Sequence, residues 1–283
     1  MGALSFLMSA GLLGGGTSAQ SADPQEPRRE IADINGQSIE VFVYRPPSCV
    51  SPSFLFVFHG NGRAARSYAG SAREIADRAC LTVFAPLFDE ERFPNREYHR
   101  GGVVDDGELK PRDEWTTGMV SDLIRWAEDF EGRPGQDIYL FGHSAGGQFL
   151  SRVAAYDLPE GVDRVVIANP STYVLPSMEE KVPYGFSGLP PKAATELTRE
   201  YLAAPVTIFL GEEDTGDKDL ARNDQAERQG ENRLDRGERT FELARQVAEQ
   251  NGWDFNWRLV YAEDVGHSGR GMLQSDYMIE ALR

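Results

Sequence analysis

Six short apolar runs alternate with longer stretches of helical spacing, and this alternation most constrains what the 283-residue chain can become. The runs are Phe54–Phe58, Leu81–Leu87, Ile138–Phe141, Val165–Ala168, Val206–Leu210 and Trp257–Tyr261. Strands that are apolar almost throughout are covered on both faces, which is the condition of a parallel sheet. Between the runs, Ala65, Tyr68, Ala72, Ile75 and Ala79 fall at steps of three or four, as do Trp115, Met119, Leu123, Trp126 and Phe130. Phe241, Ala244 and Ala248, and later Met272, Leu273 and Tyr277, repeat the pattern more weakly. Ahead of the first run, Glu30–Ile34 and Gln37–Tyr44 alternate around Asn35-Gly36, a dipeptide suited to a tight hairpin turn. The expected fold class is therefore α/β: three layers, a mostly parallel sheet and an N-terminal antiparallel hairpin.

Residues 1–22 read as an export signal. Leu4–Leu13 is mostly apolar, too short to span a bilayer, and is followed by small residues around Thr17-Ser18-Ala19. That predicts a secreted or periplasmic protein with no membrane span. Residues 23–36 form a lead-in and first strand, and residues 37–283 the catalytic domain. Within it, 169–204 is rich in Pro and Gly and reads as an irregular excursion over the active site. The charge-dense run Glu212–Arg239 reads as a solvated loop entering a helix. Cys49 and Cys80 each precede an apolar run, so neighbouring strands would bring both sulfurs to one sheet edge. In an exported chain a disulfide between them is expected.

The net charge of −16 repels phosphate backbones and argues against a nucleic-acid partner. It also makes a negatively charged substrate less expected, although local charge can differ from the net. Oligomeric state is not readable.

The chemistry concentrates at Gly142-His143-Ser144-Ala145-Gly146, between an apolar run and a helical pattern. A serine on so sharp a strand–turn–helix junction points its hydroxyl out of the sheet, and the flanking glycines permit close backbone approach. Ser144 then needs a base and a group to orient that base. The chain has four histidines. His143 is inside the turn, His59 belongs to a separate motif, and His99 reads as structural or pocket-lining. His267, in a loop after the last run, is the expected base. Asp214 is the expected acid, with Glu213, Asp217 and Asp219 as rivals in the same acidic loop. The order Ser144, Asp214, His267 suits a triad on this kind of sheet. His59-Gly60-Asn61-Gly62 suggests an oxyanion hole made by the Asn61 and Ala145 amides. Tyr173, Tyr184 and Phe186, in the excursion, are candidate substrate-binding residues.

Together these motifs resemble the α/β-hydrolase superfamily over residues 37–283, and more narrowly its secreted esterases of the polyhydroxybutyrate-depolymerase-like and feruloyl-esterase-like groups. The resemblance implies an α/β-hydrolase fold and a serine carboxylic-ester hydrolase working through an acyl-enzyme. Ser144 would be nucleophile, His267 base and Asp214 acid, with Asn61 and Ala145 as oxyanion amides. No metal or organic cofactor is implied, and the partner is a small-molecule or polymeric ester. A peptidase or amidase of the same superfamily is the alternative reading. A non-catalytic binding protein on the same scaffold is a further one.

Overall fold

The computed structural model describes Met1, Gly2 and residues 26–283. The expected signal peptide lies, but for its first two residues, outside them.

Among the described residues, ten strands form one large and one small sheet. They are β1 (Arg28–Ile34), β2 (Gln37–Tyr44), β3 (Ser53–Phe58), β4 (Leu81–Pro86), β5 (Val104–Asp105), β6 (Glu108–Leu109), β7 (Ile138–His143), β8 (Val162–Ala168), β9 (Val206–Gly211) and β10 (Arg258–Ala262). The large sheet has the order β1-β2-β4-β3-β7-β8-β9-β10, and β5 pairs only with β6. From β4 to β10 every pairing is parallel, while β1–β2 and β2–β4 are antiparallel. Asn35 and Gly36 both take positive φ, 54° and 80°, as the hairpin turn between β1 and β2 demands.

The helices are α1 (Ala65–Ser71), α2 (Arg73–Ala79), α3 (Met119–Glu131), α4 (Ala145–Tyr156), α5 (Pro191–Ala203), α6 (Asp224–Glu227), α7 (Arg233–Asn251), α8 (Gly269–Gln274) and α9 (Met278–Leu282). The two-residue period of the strands sorts side chains onto two cores. Phe54, Phe56 and Phe58 of β3 pack in one cluster with α3, α4, α5 and α7 residues. Leu55 and Val57 pack in the other, with Ala65, Ile75, Met272 and Met278. The sheet is thus the middle of three layers, as the apolar runs require.

Three regions differ from the sequence reading. The pattern from Ala65 to Ala79 is two helices meeting at Ala72 rather than one. The 169–204 excursion contains α5, with Pro191 at its first position, where a missing N–H costs nothing. The charge-dense run is not simply solvated: Arg233 and Arg236 are each 1% exposed on α7. Their guanidiniums reach main-chain carbonyls, Arg233 that of Lys218 at 2.7 Å and Arg236 those of Gly230 and Ser171 at 2.9 and 2.6 Å.

Cys49 and Cys80 are free thiols, so the expected disulfide is not formed in this structure. They are neighbours, however: a contact with Cys80, then burial, pushes the Cys49 thiol up to about 11. Both precede their strands and so lie at the N-terminal edge of the sheet, away from the site described next. No helix among the described residues is long and apolar enough to cross a membrane.

Candidate active site

The parallel strands end their C-terminal tips in four loops that face one another. Ser144 follows β7 with φ 56° and ψ −112°, a conformation that costs an L-residue on the order of 1–3 kcal/mol and persists only when its surroundings enforce it. The enforcement is visible. A Cβ at Gly142 would strike the Gly146 carbonyl, and one at Gly146 would strike the Phe58 carbonyl. The Ser144 N–H donates to Ala168 O at 2.9 Å, tying the turn to the end of β8.

Asp214 and His267 sit on loops after β9 and β10. These loops are stitched together by Glu212 N–H to Ala262 O at 3.1 Å and Glu213 N–H to Val265 O at 3.0 Å. The end of β9 is fixed to that of β8 by Asn169, whose Oδ1 accepts from Gly211 N–H at 2.9 Å. Ser268 caps α8 by accepting from Gly271 N–H at 3.0 Å, which sets the residue before it, His267, at the rim. The result is a chain of contacts. His267 Nδ1 lies 2.7 Å from Asp214 Oδ2, and His267 Nε2 lies 3.1 Å from Ser144 Oγ. Asp214 is 1% exposed, whereas the His267 side chain keeps 27% of its surface. The rivals Glu213, Asp217 and Asp219 are exposed, and Asp217 pairs with Arg222 at 3.1 Å.

The glycine-rich loop after β3 abuts this chain. A Cβ at Gly60 would lie 3.6 Å from Ser144 Cβ. Asn61 is exposed within a turn closed by Arg63 N–H to Gly60 O at 3.1 Å. Ala145 is the first residue of α4, so its N–H has no acceptor within the helix. The two candidate oxyanion amides therefore lie on segments that border Ser144, one in the loop after β3 and one at the start of α4.

The other histidines are held neutral. Burial drives His143 well below the ordinary imidazole range, helped by the nearby His267 and Arg233. Burial lowers His59 to about 4 despite its bond to Gly60 O. His99 falls to about 3 through burial and then through Arg63, Arg152 and Arg100.

Two residues at the site escaped the sequence reading. Arg233, through Nη1, approaches Asp214 Oδ1 at 3.5 Å, so one buried cation faces the carboxylate that faces His267. Tyr68 stands where three loops meet. Its hydroxyl is 2.8 Å from His143 Nδ1, it would contact a Cβ at Gly60 at 2.8 Å, and it would block a Cβ at Gly269 at 2.5 Å. Its only signal in the sequence is a place on the apolar stripe of α1.

The three aromatic residues expected to touch substrate are packed away. Tyr173 and Phe186 are 0% exposed and Tyr184 is 8% exposed. Phe186 packs on Tyr156 and Tyr201, with ring centroids 5.5 and 6.1 Å apart. The Tyr184 ring lies under Arg152 at 5.4 Å. Tyr184 and Phe186 thus anchor the excursion to α4, and the Tyr173 hydroxyl lies by Gly237 of α7. Among the described residues, no group of three or more His, Cys, Asp or Glu is placed to hold a metal ion.

Among solved structures, a poly(3-hydroxybutyrate) depolymerase, LpqC, from Bordetella parapertussis superposes with a TM-score of 0.81 at 30% identity, covering 88% of this chain and 87% of that one. The chain belongs to the polyhydroxybutyrate-depolymerase-like α/β hydrolases. A second relative of this depolymerase-like hydrolase is poly(aspartic acid) hydrolase-1 from Sphingomonas sp. KT-1, with a TM-score of 0.81 at 30% identity over 91% of this chain and 99% of that one. A siderophore hydrolase, EstA, from Aspergillus nidulans shares only the fold, with a TM-score of 0.52 at 13% identity over 94% and 98% of the two chains. No protein-family model matches the sequence, and no curated protein does.

Proposed function

We propose that this hydrolase is a serine carboxylic-ester hydrolase working through an acyl-enzyme, with Ser144 as nucleophile, His267 as base and Asp214 as the group that orients the base. The observation that carries the reading is the imidazole seated between hydroxyl and carboxylate, at 3.1 and 2.7 Å. His267 Nε2 takes the Ser144 proton as Oγ bonds to the ester carbonyl carbon. The carbonyl oxygen becomes an oxyanion facing the Asn61 and Ala145 amides. Its collapse breaks the carbon–oxygen bond to the leaving alcohol, which takes the proton from His267. Water then attacks the acyl-serine by the same route and releases the acid. Donors aimed at the oxyanion are worth ~10²–10³ each in turnover.

An amide substrate is the second reading. It is favoured by the relative named for hydrolysis of poly(aspartic acid), an amide-linked polymer. Paired assays on an ester and its matching amide separate the two. We also propose that the protein is exported, as its first 22 residues suggest.

Ser144→Ala is expected to abolish ester turnover and fluorophosphonate labelling while leaving the melting temperature within a few degrees. Near-full activity in that variant overturns the assignment.

A further inference from the structure

A groove of about 700 Å³ is lined along one wall by α1 and along the other by α8, the helices that follow the Asn61 and His267 loops. Its walls continue the two loops that flank Ser144. Arg63 follows Asn61 by two residues, and Arg270 follows His267 by three, so neither Cα is more than about 11 Å from its loop partner. Both line the groove, with Arg66 and Arg73. Glu26 is its single acidic lining residue, and it is paired to Arg73 at 3.1 Å. In a chain carrying 45 acidic residues against 29 basic ones, four arginines around one carboxylate mark a local reversal of charge.

Two of these cations, Arg66 and Arg270, are exposed. Among the described residues no ion pair engages Arg63, Arg66 or Arg270. Arg270 Nε donates to Gln274 Oε1 at 2.9 Å, a neutral partner that leaves its charge uncompensated. Arg66 is exposed and stands 6.0 Å over the Phe42 ring. Arg63 donates to Phe88 O at 2.8 Å and lies 4.7 Å over the Tyr98 ring, with its Nε and Nη2 buried, so it lends the groove charge but no open donor. Asp89, whose charge also acts on Arg63, is bonded to Arg92 at 2.7 Å. Guanidiniums with free donors match carboxylates through two parallel hydrogen bonds. In a recess the field of several like charges adds rather than being scattered by solvent.

We propose that this groove binds the carboxylate-bearing part of the substrate, so that the preferred substrate is an anionic oligomer whose cleaved bond lies at Ser144 and whose free carboxylates run between Arg66 and Arg270. The proposal rests on the hydrolase reading above and names the charge of its substrate. It reverses the inference from net charge: the −16 is spread over the molecule, while the recess next to the rim is cationic.

The test has two arms, both on the full chain. In the first, the Ser144→Ala protein is titrated with a four-residue aspartate peptide and with the matching asparagine peptide. Tighter binding of the aspartate peptide is expected, weakening roughly three- to tenfold in the added presence of Arg66→Gln and Arg270→Gln, and weakening with salt above about 0.15 M. In the second, kcat/KM is compared for mono-4-nitrophenyl glutarate and neutral 4-nitrophenyl butyrate. The ratio of the two is expected to fall by a similar factor in the double variant. Equal binding of both peptides, or a ratio unmoved by the two substitutions, overturns the proposal. Selective peptide binding by a protein that hydrolyses neither ester leaves the groove standing and removes the hydrolase reading instead.

Discussion

Two sets of arginines divide this molecule. Arg152, Arg233 and Arg236 are each no more than 1% exposed, whereas Arg66 and Arg270 stand open on either side of a groove. The buried set is satisfied largely by main-chain oxygen. Arg152 reaches the carbonyls of Pro183, Gln148 and Thr172 at 3.1, 3.1 and 2.8 Å. Of the three, Arg233 alone touches a carboxylate, that of Asp214. The difference shows that the same side chain serves as an internal strut when carbonyls surround its fork, and stays open to an anion when nothing does. Burial of a guanidinium is costly unless its donors find acceptors, and in this set Arg233 Nε is a buried donor without one. An exposed one carries no such condition and is left to bind whatever anion fits.

The sharpest way to break this contrast is to remove one strut. Arg233→Met is expected to cost about 3–5 kcal/mol, because it leaves Asp214 buried without its cation, while Arg66→Gln leaves the melting temperature unmoved. Arg233 acts on the chemistry only through Asp214, so it is a positioning residue. A charge-keeping Arg233→Lys should recover part of both stability and turnover. Thermal scans beside rate measurements check this, and a harmless Arg233→Met would show that the strut is no strut.

The same contrast divides the histidines. His267 stands at the rim, whereas burial holds His59 neutral, with its protonation lowered to about 4. The unfolded chain has an ordinary imidazole near 6.5, so between these values it binds more protons than the folded one. Stability contributed by His59 is therefore whole above about 6.5 and is lost as pH falls toward 4. The full loss from this residue is about 3 kcal/mol. His99 and His143 act in the same direction. Melting temperatures should fall steeply from pH 7 to pH 5, and His59→Gln should flatten the slope. A flat profile in the parent protein would contradict it.

The smallest effect concerns Tyr68. Tyr68→Phe leaves His143 Nδ1 without its partner, at a cost of about 1–2 kcal/mol, and should lower kcat more than it raises KM. An unchanged kcat would mean that the hydroxyl only fills space.

Much of this was legible in the sequence. The strand–turn–helix around Ser144 could be read because local sterics alone dictate glycine at positions 142 and 146. With only four histidines in the chain, elimination led to His267. The Asn35-Gly36 hairpin could be read for the same local reason. What could not be read depends on distant partners. No periodicity announces that Arg233 turns inward to Asp214, 19 residues away, or that Arg152 meets Thr172. The aromatic residues of the excursion misled because prolines beside them suggested an open loop, whereas α4 and α5 pack them shut. Net charge averages over a surface and does not register a recess lined by four arginines and one carboxylate.

The hydroxyl of Tyr68 has one more implication. It gathers the glycine loop, the turn at His143 and the start of α8 around a single atom, 2.8 Å from His143 Nδ1 and 2.8 and 2.5 Å from where a Cβ would stand at Gly60 and Gly269. Mutations in those three segments should therefore show strong epistasis, their effects failing to combine independently. Attempts to retrain this enzyme on new polymers by altering one segment at a time would meet that interdependence first. Libraries that vary position 68 together with residues 60 and 269 are the natural way around it.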